Sequence, residues 1–380
     1  MKSKLWLILI FGLLFIAPFV QSNLSGDSQP GDLIKMPTII SSIAGMIRWG
    51  ILLFLSLYAV LYYKFYLTSS KYNVLFALFY AVFLIYAIVS VTDISRYASL
   101  VILTLTVPSV MTSAFKVHDL NINIIRKIIY ALVILSYGFS FLLILKGARF
   151  QGFLDNSNMY GITAVFWLSI FMLEVKRFPF TKIDYFFLLL IIMSIILSGS
   201  RGSLVAGIFV LFLGFIKYIK VFIKSFFLLV VAVIAMNKYL KLDFIFSRFE
   251  NIEKSASDSG RQVVWDKAFV FINQSPWGWG MNAPMELIGT GNMHSVYVRM
   301  LLTMGYFFTV LALIPLIVIL YKLFLDKNVP KVLLGFFVGL LAASFGEDFI
   351  IGLGSSLFIY ILFFISLLNY YKLRIIKTNF

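Results

Sequence analysis

A chain of 380 residues with 61% hydrophobic and only 13% charged positions lies far from the roughly 25% charged content of soluble domains; it reads as an integral membrane protein. The formal charge of +16 is scattered between apolar runs, which argues against nucleic acid as a partner. Zero cysteines exclude disulfides and thiolate metal sites.

At roughly 20 apolar residues per crossing, the length accommodates about twelve transmembrane helices. Apolar runs place them near 5–20, 38–62, 74–91, 99–115, 128–145, 160–175, 185–197, 203–216, 225–236, 305–321, 332–345 and 351–371. The first run also has the basic start and short apolar core of a signal peptide. Pro18 and Phe19 make a poor cleavage site, so an uncleaved span is expected. The connections alternate in charge. One set runs from Lys2 and Lys4 through Lys116, Arg126, Lys182 and Lys322 to Lys372 and Arg374. The other holds only Lys35, Arg96, Lys146, Arg149 and Arg201 outside the one long polar loop. The positive-inside rule puts the first set, and both termini, in the cytoplasm. Three regions follow: spans one to nine over 1–236, an extracytoplasmic loop with short helices over 237–294, and spans ten to twelve over 295–380.

The external cations stand against that rule and call for another reason. In Arg149-Phe150-Gln151-Gly152…Asn156-Ser157-Asn158, an arginine precedes asparagines able to read sugar hydroxyls, although they are also ordinary turn residues. Arg201 sits in the tight hairpin Ser198-Gly199-Ser200-Arg201-Gly202-Ser203, where Ser203 is expected to cap the next helix and its free N–H groups to attract anions. In the long loop, Arg248 adds a cation, and Ser259 with Gln262 forms a capping-box spacing. A helix is therefore expected from Gly260, with Val264, Trp265, Ala268, Phe269 and Ile272 on one face, suited to the membrane surface. Arg261 would occupy its first turn, against the helix dipole.

Pro276-Trp277-Gly278-Trp279-Gly280 supplies either an interfacial aromatic belt or a sugar-stacking platform. His294 opens the next helical run, with Gly305 three turns on and nearly on the same face; it is a candidate general base on a hydroxyl. Glu347 and Asp348 form a carboxylate pair near the external end of the eleventh span, able to pair with an arginine, to serve as an acid–base group or to position an acceptor. Arg48 and Arg299 are the candidates for charge within the spans. No Cys/His cluster, acidic run or Gly-rich phosphate loop marks a metal or nucleotide cofactor.

In this order, the Ser198-to-Gly202 hairpin, the Gly260-Arg261…Trp265 helix start, the Pro276-to-Gly280 turn and His294-Ser295…Gly305 resemble the O-antigen ligase/polymerase family. Ser295 stands where that family more commonly has Asn. The resemblance implies a GT-C-type glycosyltransferase in the bacterial cytoplasmic (inner) membrane, acting at its outer face as an inverting enzyme without a metal. Its substrates would be undecaprenyl-diphosphate-linked glycans as donor and acceptor, and a chain-length regulator and a flippase would be partners. Under that resemblance His294 and Arg261 are catalytic, and Arg201, Arg149 and Arg248 bind diphosphate. Trp277, Trp279, Asn156 and Asn158 would bind glycan, and Glu347 and Asp348 would position the acceptor. O-antigen or other surface-polysaccharide polymerase is the favoured activity and O-antigen ligase the alternative. A lipid-linked sugar transporter is the contrasting class; it would be expected to show internal repeats, and the sequence has none.

Overall fold

The computed structural model describes residues 4–19, 37–62, 71–118, 120–145, 149–154, 156–175, 179–215, 227, 261–291, 293–347 and 356–374. All regular structure among them is helical. The helices are α1 (Leu5–Ile16), α2 (Thr38–Tyr62), α3 (Lys71–Val89), α4 (Ile94–His118), α5 (Ile122–Leu145), α6 (Ser157–Phe171), α7 (Lys182–Leu197) and α8 (Arg201–Gly214). After them come α9 (Arg261–Gln274), one π-turn (Pro284–Ile288), α10 (Val296–Leu325), α11 (Lys331–Ala343) and α12 (Ser356–Arg374). Among the described residues, α2, α3, α4, α5 and α10 are long and apolar enough to cross a membrane, while α1, α8 and α11 are apolar but shorter. This is a multi-pass membrane protein. The expected ninth span, 225–236, lies outside the described residues apart from Phe227.

Several polar groups inside the bundle are tied to one another, the arrangement that a medium without water favours. Ser56 and Thr106 share a hydrogen bond of 2.8 Å between α2 and α4. The Asn369 amide on α12 donates to Asn73 on α3 at 2.6 Å, and Asn73 donates in turn to Ser109 at 2.8 Å. Arg48 is buried on the packing face of α2, as a charge within a span was expected to be. Arg126, read from sequence as a solvated loop cation, is buried instead. It pairs with Asp184 at 3.7 Å, donates to the Phe171 carbonyl and stacks over Phe180. Lys372 lies within electrostatic reach of Lys71, Lys322 and Asp326. These residues gather the Lys/Arg-rich connections at one end of the bundle.

Two close backbone approaches shape the other end. Along α8, Gly202, Ala206 and Val210 recur every four residues and face Ala343, Gly339 and Gly335 on the antiparallel α11. A Cβ on Gly339 would press on Ala206 Cα at 2.6 Å, and one on Gly335 on Val210 Cα at 2.9 Å. Small residues at this spacing let helices meet where lipid supplies no hydrophobic drive. The contact puts the start of α8 against the end of α11.

The second approach is a break in α10. Gly305 has φ 69° and ψ −175°, so the helix stops after Met304 and resumes at Tyr306. The freed backbone groups are taken up by the 276–280 turn: Trp279 N–H donates to Leu302 O and Gly280 N–H to Thr303 O, both at 3.0 Å, and Tyr306 N–H donates to Pro276 O at 2.9 Å. From Tyr306 to Leu325 the helix rises about 30 Å, the thickness of a hydrocarbon core. The half-helix before the break carries its own small core, in which Val298 and Leu302 pack on Ala268 and Ile272 of α9 and on Ala283 and Met293.

This corrects two expectations. His294 and Gly305 do not share a helix face: His294 precedes the N-cap Ser295 with φ 51°, and Gly305 is a discontinuity. On α9, Phe269 is exposed and Phe271 joins Val264 and Trp265 against the small core, because the inner face packs on protein. A Cβ at Gly305 would collide with the Pro276 carbonyl and the Gly278 nitrogen. Gly305→Ala is therefore expected to destabilise the protein by about 2–4 kcal/mol, read as a lowered thermal unfolding midpoint in detergent; an unchanged midpoint would contradict the docking.

Candidate functional site

At the end of the bundle opposite the lysines, five segments contribute to one cleft. Arg149 follows α5, and its Nε donates to the Ser198 carbonyl at 2.7 Å in the α7–α8 hairpin. Gly199, at φ 60°, keeps that hairpin clear of the guanidinium; a Cβ there would stand 3.3 Å from Nε. The same guanidinium donates to the Asn158 side-chain carbonyl. The Asn158 amide donates to Glu347 Oε1, just past α11. Arg261 donates to that same oxygen at 2.6 Å, and the pair is only partly open to solvent. Arg201, Gly202, Ala343 and Gly346 complete the lining.

The helix termini explain the electrostatics. Arg201 is the first residue of α8 and Asn158 lies in the first turn of α6. Two helix N-termini, each a locus of partial positive charge, thus carry lining residues of one cleft, and Arg261 of α9 adds a further cation beside them. A cation in a first turn costs about 0.3–1 kcal/mol, and with Arg261 as its neighbour Arg201 calls for an anion. Burial, and then the neighbouring Arg261, hold the proton affinity of Arg201 below its ordinary value. Glu347 is the anion present. The space between these groups is about 30 Å³, room for about one water. A larger anion must part Arg261 from Glu347 to enter.

Local capping differs from expectation. Ser200, not Ser203, caps α8, its hydroxyl accepting from Ser203 N–H at 3.3 Å. That shift is what places Arg201 inside the helix. Asn156 spends its side-chain oxygen on capping α6, accepting from the N–H groups of Asn158 and Met159. Ser259, Arg248 and Asp348 lie outside the described residues.

His294 is half-buried beside this cleft's supports. The preceding Met293 carbonyl accepts from Trp265 Nε1 at 2.8 Å, one turn beyond Arg261 on α9. Val296 N–H donates to the Ser344 carbonyl at 3.1 Å, three residues before Glu347. The imidazole is therefore mounted on the two elements that hold the Arg261–Glu347 pair. Trp277 and Trp279 are not in the arginine cleft; they line a separate cavity with Tyr86 and Glu286. The bridging role of Asn158 and the α8–α11 seam were not read from the sequence. The Gly335-xxx-Gly339-xxx-Ala343 spacing was the available signal for the seam.

Residues 186–313 match the family model described as O-Antigen ligase. Over this stretch the chain is similar to the O-antigen ligase family. The match is consistent with the O-antigen ligase/polymerase family and spans Arg201, Arg261, Trp277, Trp279, His294 and Gly305, while Arg149, Asn158 and Glu347 come from outside it. No curated protein matches the chain.

Because Glu347 already accepts from Arg261, Glu347→Gln should bind inorganic pyrophosphate about tenfold tighter, one charge-assisted hydrogen bond's worth. Calorimetry on the purified protein measures this; equal or weaker binding would show that Glu347 does not compete with an anion for the site.

Proposed function

We propose that the protein is a surface-polysaccharide polymerase that transfers a glycan from undecaprenyl diphosphate to the sugar of another lipid-linked repeat unit. The observation that carries this reading is the arginine cleft: Arg201 at the N-terminus of α8 beside Arg261, with Arg149 tied to Arg261 through Asn158 and Glu347. Departure of a diphosphate needs its charge neutralised as the glycosidic C–O bond breaks. Guanidinium groups answer that need, because they bind phosphate oxygens in forked pairs and are aimed before the reaction. Glu347 is the resident counter-ion that the diphosphate displaces, and it keeps Arg261 aimed while the site is empty. His294 accepts the proton of the acceptor hydroxyl as that oxygen attacks the anomeric carbon. Direct displacement inverts the configuration. The diphosphate leaves on its lipid, and no separate soluble domain is required.

The proposed topology has about twelve spans in a GT-C-like arrangement, both termini in the cytoplasm and the cleft at the outer face of the cytoplasmic membrane. Its support is the segregation of charge. Lys71, Lys322, Lys372 and Arg126 gather at one end, and the cleft forms at the other. A lipid-linked donor flipped to that face by a separate protein would then meet the cleft. A chain-length regulator would act on the same product.

Ligation of the glycan to lipid A–core is the second reading; the family match is compatible with both. Deleting the gene separates the two: loss of a polymerase leaves one repeat unit on the core, and loss of a ligase leaves none. Under either reading, Arg201→Ala, Arg261→Ala and His294→Ala should each lower transfer from a lipid-linked donor by about 100-fold or more, while the protein inserts normally. Full-length ladders from these variants would remove the assigned roles.

A further inference from the structure

The cavity that holds Trp277 and Trp279 has a volume of about 610 Å³ and shares no lining residue with the arginine cleft. It lies between the end of α3 and the 276–280 turn. The turn's backbone is fastened, since Tyr86 Oη donates to the Trp277 carbonyl at 3.3 Å and accepts from Gly280 N–H at 3.1 Å. Its rings are not buried by this: Trp277 is 62% exposed and Trp279 41%. Trp279 donates its indole N–H to the Phe271 carbonyl at 2.8 Å, which sets the plane of its ring. Around the rings stand the hydroxyls of Ser90 and Thr92, hydrogen-bonded to each other at 2.8 Å, with the Asn282 amide and the Glu286 carboxylate.

Fixed, half-open indoles beside hydroxyl, amide and carboxylate groups match the two faces of a sugar ring. Its C–H face is apolar and its rim is made of hydroxyl donors and acceptors. A carboxylate in the lining disfavours a phosphate. The volume lies within the range of about 300–1,000 Å³ found for small-ligand sites. From Val296 to Met304 the half-helix places the turn about 12 Å along from His294.

We propose that this cavity is a sugar-binding subsite for glycan units remote from the reacting bond. The assignment rests on the glycosyl-transfer reading above. Binding energy gathered there would hold the growing chain while the chemistry proceeds at the arginine cleft.

The test uses the full-length protein in nanodiscs and two probes, the free oligosaccharide released by mild acid from the source strain's surface polysaccharide, and inorganic pyrophosphate. Trp279→Ala removes a platform, and Thr92→Trp fills the space from the opposite wall. Both should weaken the oligosaccharide by about tenfold or more and leave pyrophosphate affinity unchanged. Arg261→Ala should do the reverse. Oligosaccharide binding that ignores both variants, or that is absent in the wild type, would overturn the subsite; so would a phospholipid found retained there by native mass spectrometry and lost in Thr92→Trp. If the oligosaccharide follows the variants while pyrophosphate does not bind, the subsite stands and the diphosphate reading falls.

Discussion

One carboxylate oxygen holds this end of the molecule together. Oε1 of Glu347 accepts from Arg261 and from Asn158, and Asn158 accepts from Arg149. Through those bonds the end of α11, the start of α9, the first turn of α6 and the segment after α5 are fixed to one another. The glycine seam between α8 and α11 then adds Arg201. Without the carboxylate, Arg201 and Arg261 would face each other across a small, partly dehydrated space. Like charges so placed repel, and the dipole of α8 adds to the repulsion rather than relieves it. The site is therefore electrostatically poised: its resting state is held by an internal anion, which the proposed diphosphate would displace by offering more oxygens.

A second constraint fixes where the histidine stands. The break at Gly305 interrupts α10, and the 276–280 turn closes its open hydrogen bonds. Because that turn follows directly from α9, the helix bearing Arg261 and the half-helix behind His294 are braced on each other through a common small core. The two glycines carry the arrangement. Gly278 and Gly305 approach so closely that neither tolerates a side chain.

Much of this was legible in the sequence, and for identifiable reasons. Apolar runs gave the helices because a hydrocarbon solvent leaves little else for the backbone to do. Arg149, Arg201 and Arg261 stand out because cations on the sparsely charged side contradict the topology rule; Arg201 and Arg261 line one cleft, and Arg149 stands behind it, bonded to the lining residue Asn158. Glu347 was read as a partner for an arginine, and it is one. What stayed hidden was whatever depends on which surfaces meet. The periodicity of α10 looked continuous because a glycine break leaves no apolar signature, so His294 and Gly305 were placed on one face. Ser203 and Ser200 are equivalent caps by composition, and only the backbone turn decides between them. Asn156 and Asn158 are alike in sequence, yet one is consumed in capping and the other bridges two charges. The tryptophans belong to a second cavity because the turn that carries them is anchored to α3, a contact 191 residues apart in the chain.

The most direct test of the account is where a polyprenyl diphosphate sits. A photoreactive group on the isoprene unit next to the diphosphate, activated in nanodiscs and mapped by peptide mass spectrometry, reads that position. The account predicts labelling of peptides containing Ser198–Ser203, Arg261–Trp265 and Ala343–Glu347. Labelling confined to the other end of the bundle, around Lys71, Lys322 and Lys372, would contradict it.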